Sequence, residues 1–140
     1  MAAATGPNQW TKCSTHLKQT NGFPVKAATS VHALSLAGMH GALGVRGFVA
    51  GTDTLLGVFE ESYDNSAGAL GDKTALVAKG HQVEIIVAGV DGNTVPDTDV
   101  YATDDQTFNL TVVSGNRLGQ IQEVVNSSTG LCKVTANPDN

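Results

Sequence analysis

Residues 107–136 read TFNLTVVSGNRLGQIQEVVNSSTGLCKVTA, and this stretch decides the fold. It opens with alternation. Phe108, Leu110 and Val112 fall on one side of an extended chain, and Thr107, Asn109 and Thr111 on the other. A period of two marks a strand with one buried face. Gly115-Asn116 suits a two-residue hairpin turn. Leu118–Val125 follows as a second strand with its phase disturbed near Gly119, which predicts a bulge. Ser127–Gly130 then turns the chain into a third strand, Leu131–Ala136.

The same grammar runs upstream. Phe48–Ala50 and Thr54–Glu60 flank Gly51-Thr52-Asp53 and read as strands. Asp64–Gly68 reads as a loop. Thr74–Ala78, a turn at Lys79-Gly80, and Gln82–Ala88 predict a hairpin, with Val83, Ile85 and Val87 on one face. Asp91-Gly92-Asn93 is a turn, Val100–Thr103 a short strand, and Asp104-Asp105 opens a corner. Gly38, Gly41, Gly44 and Gly47 recur every third residue without proline, which predicts bent edge strands and close backbone approach, not a collagen helix. Turn signals at intervals of about 8–12 residues, with almost no helical period, predict an all-β barrel or sandwich of short antiparallel strands.

At 140 residues the chain is long enough for one domain with a core of its own. Only 15% of residues are charged, and the chain is poor in the strong helix formers Glu, Lys, Gln and Arg. Charge is segregated. The first fifty residues hold Lys12, Lys18, Lys26 and Arg46 and no acid, so they are formally +4; residues 51–140 hold 13 acids against four bases, −9, and the sum is −5. This pattern reads as a basic arm on an acidic body, suited to docking on acidic surfaces, including sister subunits. Residues 1–25 lack periodicity and carry turn signals at Gly6-Pro7 and Asn21-Gly22, so they read as an extended N-terminal arm, with 26–140 as the β-rich domain. Fully extended, such an arm spans about 80 Å. Trp10 and Phe23 are its apolar anchors.

No charged and apolar leader and no run of ~18 apolar residues is present, so a cytosolic product that spans no membrane is expected. Cys13 and Cys132 are then expected to stay reduced. His16, His32, His40 and His81 lie in no nucleophile motif, and neither C-x-x-C nor H-x-x-x-H occurs, so no catalytic centre and no zinc site is expected. Asp97, Asp99, Asp104 and Asp105 are the best calcium candidates, but they lack an EF-hand frame, and turn-capping by their side chains is the simpler reading. No phosphate-cradling loop or clustered bases with interleaved aromatics occur, so neither a cofactor nor nucleic acid is expected.

Two blocks carry a resemblance. One is Leu56–Ser62 followed by Asp64–Lys73; the other is Val100–Thr107 with Leu118–Val124 and the end strand from Thr129 to Val134. In this order they resemble the structural cement, or capsid decoration, proteins of tailed bacteriophages, over residues 40–136. The resemblance implies a small β-domain in the style of the β-clip or β-tulip. It implies a non-enzymatic virion protein on the capsid exterior that stabilises the head, with the major capsid protein and neighbouring copies, as a homotrimer, for partners. The family offers no catalytic residue to carry over, and residues 1–39 have no counterpart in it. From the charge and the apolar anchors alone, the candidate partner-binding residues are Trp10, Lys12, Lys18, Phe23, Lys26 and Arg46. The competing readings are a virion-surface domain that grips host glycans, for which Trp10, Tyr63 and Tyr101 are few and scattered, a tail or connector component, and an enzyme on a β-clip-like fold.

Overall fold

The structure, a computed structural model, describes residues 18–138. Within them the chain forms strands β1 (Gln19–Pro24), β2 (Thr29–Val31), β3 (Leu36–Met39), β4 (Val45–Gly47), β5 (Thr54–Phe59), β6 (Tyr63–Asn65), β7 (Thr74–Lys79), β8 (His81–Ala88), β9 (Asp99–Ala102), β10 (Phe108–Asn109), β11 (Arg117–Asn126) and β12 (Leu131–Ala136). One 3-10 turn at Gly41–Leu43 is the only helical element among the described residues. The protein is all-β, as its turn spacing predicts.

The strands form three units. An antiparallel sheet runs β1-β7-β5-β3-β4; β10-β8-β12-β11-β9 close into a small barrel; β2 and β6 pair as a ribbon. The central strand β5 is buried on both faces. Leu55 and Val58 of β5 join Leu36, Phe48 and the barrel interior in one core, while Leu56 and Phe59 join Val25, Val31, Ala37, Val45 and Val77 in a second. Leu55 and Val58 share a face although three positions apart, because the pairing of β3 slips from Ala37↔Gly57 to Gly38↔Leu55 and leaves Leu56 as an extra residue. Such a bulge bends the strand and resets its phase.

Within the barrel, β12 alternates strictly. On β12, Cys132, Val134 and Ala136 are fully buried, and Leu131, Lys133 and Thr135 face outward at intermediate exposure. Val83, Ile85 and Val87 of β8 face the same core, as their spacing predicts. Arg117 and Gly119 flank a register shift against β9, the bulge expected near Gly119. β11 and β12 form the expected hairpin, turned by Asn126, whose side-chain Oδ1 accepts from the Ser128 amide at 2.9 Å.

Several sequence readings need correction. Lys79-Gly80 does not close a hairpin: β7 pairs with β1 and β5, whereas β8 pairs with β12 and, in parallel, β10. The chain turns a corner there and passes from the sheet into the barrel, pinned by the Gly80 amide on the Ala136 carbonyl at 2.7 Å. A turn signal reports a change of direction, not the pairing that follows. Thr107–Val113 is a strand only at Phe108–Asn109, because Asn109 Oδ1 accepts from the Thr111 amide and bends the chain; Val112, expected inside, is 75% exposed. Gly115-Asn116 accordingly joins no hairpin partners: β10 pairs with β8 and β9, and β11 with β9 and β12. Finally, Phe48–Ala50 forms no strand; β4 lies just before it, and Val49 makes a single bridge to Asp104.

The glycine run matches the prediction in part: Gly41 lies in the 3-10 turn with open space around it, and β3, which holds Gly38, is not an edge strand. A Cβ on Gly38 would lie 2.7 Å from Asp53 Oδ2, so only glycine lets that carboxylate approach β3. Gly44, at φ 98°, packs against Leu70 and the Pro24 carbonyl. β4, to which Gly47 belongs, is an edge strand of its sheet. The expected loop at Asp64–Gly68 is in part strand, since Asp64 and Asn65 belong to β6. Buried Asn65 donates through Nδ2 to the carbonyls of Lys26 and Ala69, at 3.1 and 3.0 Å, and so ties this loop to the chain leaving β1.

Candidate functional site

Of the six residues singled out by charge and apolarity, Trp10 and Lys12 lie outside the described residues. Phe23, on β1, is half-buried and packs against the second core. Lys26 is half-exposed, just past Val25. Arg46 of β4 makes a two-pronged contact with Asp53, with Nε to Oδ2 and Nη2 to Oδ1 both at 2.9 Å. The Asp53 side chain is wholly buried, and its Oδ2 also accepts from the Val49 amide at 3.0 Å. Arg46 is therefore committed to bracing its own turn. Lys18 Nζ sits 2.6 Å from Glu60 Oε1. That contact is the main cause holding the Glu60 carboxyl below the usual carboxylate range. The separation of bases and acids along the chain thus folds back, in these two places, into internal pairs.

Of the expected arm, residues 1–17 lie outside the described residues. Gln19–Pro24 are extended, but they pair with the chain's own β7 from Gln19↔Lys79 to Pro24↔Thr74. Five of the six are exposed, and β1 ends the sheet, so its outer edge has no partner among the described residues. The residues draw β1 onto the body because Phe23 and Val25 reach the second core.

Lys18 and Glu60 form one side of a recess of about 300 Å³ that also takes in Leu34 and His81. Next to it lies a second cavity of about 270 Å³ between the sheet and the barrel. Leu36 and Val58 line it from the sheet, and Val83, Ile85, Phe108 and Leu118 from the barrel. His81, at the corner between the two units, borders both. Its Nδ1 is buried without a partner among the described residues. Burial, assisted by the charge of Lys18 and opposed by Glu60, holds the imidazole pKa below its ordinary value.

Leu34 stands at the mouth of both recesses. It is 82% exposed and has φ 67°, a left-handed conformation that branched residues rarely adopt. Its amide donates to the Phe59 carbonyl at 2.9 Å, and the preceding Ala33 amide donates to Ser62 Oγ at 2.9 Å, so the loop is held in this posture. The stretch His32-Ala33-Leu34-Ser35 carries no glycine or proline, and nothing in the sequence marks Leu34 as special.

The acidic candidates serve turns and pairs. Asp104 Oδ1 accepts from the Gln106 amide at 2.8 Å and Oδ2 from Thr107 Oγ1 at 3.1 Å. Asp99 accepts from Arg117 Nε at 3.0 Å. Among the described residues no group of three or more His, Cys, Asp or Glu could hold a metal ion. Burial pushes the Cys132 thiol above its ordinary pKa, and no disulfide partner for it lies among the described residues. No described helix is long and apolar enough to cross a membrane. Set beside known proteins, the chain matches no protein-family model and no curated sequence.

Proposed function

We propose that this protein is a structural virion component, which binds the outer surface of an icosahedral phage head and stiffens it by bridging capsid subunits. The observation that carries the reading is the N-terminal edge. Seventeen residues without a single acid lead into an exposed strand whose outer side has no partner among the described residues. An exposed edge is a template for strand addition, in which main-chain hydrogen bonds supply affinity to a neighbouring chain. The two sequence blocks that resemble decoration proteins add support. They form β5 of the sheet, β6 of the ribbon with the Asn65-pinned loop, and β9, β11 and β12 of the barrel.

Adhesion of this kind needs area, not chemistry. A standard interface buries about 1,200–2,000 Å², and several copies on one lattice convert modest affinity into avidity. With Lys18 and Arg46 held by their own carboxylates, basic charge contributes less to docking than its position in the sequence implies. The test is co-sedimentation with purified heads. A chain lacking residues 2–17 should fold and fail to sediment with heads, and Trp10→Ala should weaken binding more than Lys12→Ala. Undiminished binding by the truncated chain would remove the N-terminal segment from the proposal. Heads lacking the protein that withstand heat as well as complete ones would end it.

A further inference from the structure

We propose that the outer edge of β1 pairs with the same edge of a second copy, antiparallel about a two-fold axis, so that two chains share one continuous sheet. The proposal deepens the function above: it rests on the same exposed edge and names the chain that meets it. The register of β1 fixes which groups that edge offers. Residue pairs in an antiparallel ladder alternate between those that exchange both main-chain hydrogen bonds and those that exchange none. The Val25 amide bonds the Lys73 carbonyl at 2.9 Å, and β1 pairs with β7 from Gln19↔Lys79 to Pro24↔Thr74. Counting back by twos, Phe23, Asn21 and Gln19 bond β7 through their main-chain groups. β7 agrees: Leu76, opposite Gly22, turns its carbonyl the other way, to the Glu60 amide at 3.0 Å. The main-chain groups of Thr20, Gly22 and Pro24 therefore point away from the sheet.

These groups complement themselves. With Thr20 opposite Gly22 of the second copy, both outward amides of each chain meet an outward carbonyl of the other. Pro24 has no N–H, so the ladder ends where the strand does. A strand of unlike sequence would need its own groups in step; a second copy supplies them by symmetry. The side chains permit the approach. Exposed edges are normally guarded by charge. Gln19–Pro24 carries none, although the whole chain is −5. Two such strands meet without like charges opposed, and the neighbouring Lys18 is matched by Glu60 at 2.6 Å. Gln19, Thr20, Asn21 and Gly22 are all exposed, and no described strand lies on their outer side.

The contact is short. A six-residue edge buries less than the standard interface of about 1,200–2,000 Å². The pair therefore forms reversibly in solution and is reinforced where copies sit side by side on one lattice. Asn21 falls on the axis. It faces Asn21 of the second copy in a pair without main-chain bonds, with Cα atoms about 4.5 Å apart. A disulfide, which spans about 4.4–6.8 Å between Cα atoms, fits there. Gln19 instead faces Phe23 of the second copy, about 13 Å along the strand from its own counterpart.

The test uses the free, full-length protein. Sedimentation equilibrium should show the 14.4 kDa chain passing reversibly to a dimer between micromolar and millimolar concentration. Asn21→Asp, which sets two carboxylates face to face on the axis, should raise the dimer dissociation constant several-fold and leave the β-sheet circular dichroism unchanged. In a Cys13→Ser background, Asn21→Cys should cross-link to a covalent dimer under mild oxidation, and Gln19→Cys should not. A monomer throughout that range would overturn the proposal. A dimer indifferent to Asn21→Asp would place the contact on another surface and overturn it too. Cross-linking of both cysteine variants alike, or of neither, would overturn the two-fold register. Asn21→Asp that weakens co-sedimentation with heads, while the free chain stays monomeric, would give the edge to the capsid and exclude the second copy. A dimer formed by a chain that ignores heads would keep the pairing and sink the virion role.

Discussion

Arg46 shows how far a charged residue's role depends on what it meets. On the chain it belongs to a basic stretch; in the fold it is the partner of a wholly buried carboxylate that also bonds the Val49 amide. Removing one member of such a pair leaves the other charge buried and unmatched. Arg46→Ala should therefore lower unfolding stability by about 3 kcal/mol, the lower end for a broken buried pair, because the arginine remains 22% exposed. Lys18→Ala, at an exposed pair, should give no measurable change. Urea unfolding of both variants checks the contrast.

Two titrating residues place separate limbs on the stability–pH curve. His81 has a folded pKa below its unfolded value of about 6.5. The unfolded chain therefore takes up the proton first as pH falls. The contribution of His81 is complete above about pH 6.5 and is lost as pH falls through the folded pKa. Asp64, bonded by the Ser66 side chain and amide and by Ser30 Oγ, is lowered to about 2. Its contribution is complete above the unfolded value of about 3.9 and is lost as pH falls toward 2. Thermal midpoints measured across this range should show His81→Gln flattening the upper limb and Asp64→Asn the lower one. The reverse assignment would contradict the structure.

At the scale of elements, β11 is the most constrained strand. A Cβ on Gly119 would overlap the Thr135 carbonyl of β12. That obstacle is backbone and cannot swing aside. Gly119→Ala should therefore prevent the β11–β12 hairpin from closing in its present register, seen as loss of a cooperative thermal transition. The same replacement at Gly92, where a Cβ meets nothing within 4 Å, should be tolerated. The hairpin was legible in the sequence because the turn signal at Ser127–Gly130 lies between two apolar-rich runs, the second of which alternates strictly. The corner at Gly80 was not. The local chemistry of a turn is the same whether the next strand pairs with the last one or leaves for another sheet. Likewise, β5 lacks alternation because both of its faces are buried and its phase is reset by the bulge at Leu56.

For the whole molecule, Gln19–Pro24 of the expected arm are a strand of the body, paired with β7. Val25 is completely buried and Phe23 packs beside it. A chain lacking residues 2–17 should keep its β-sheet circular dichroism and unfold cooperatively. One lacking 2–25 should lose cooperativity, because the edge of β7 and the second core are laid bare. Equal behaviour of the two truncations would show that β1 adds nothing to the body.

The sequence by itself determined the all-β class, the strands β5, β7, β8, β9, β11 and β12, the bulge at Gly119 and the close approach at Gly38 and Gly44. Each depends on residues adjacent in the chain, through side-chain alternation, turn chemistry and the lack of a Cβ. Only the tertiary structure decided that β7 and β8 part company, that Arg46 and Lys18 meet their own carboxylates, and that Leu34 and His81 frame a cavity. Those facts arise from pairings between residues far apart or from a backbone angle imposed on an ordinary residue, and one-dimensional periodicity carries no record of either.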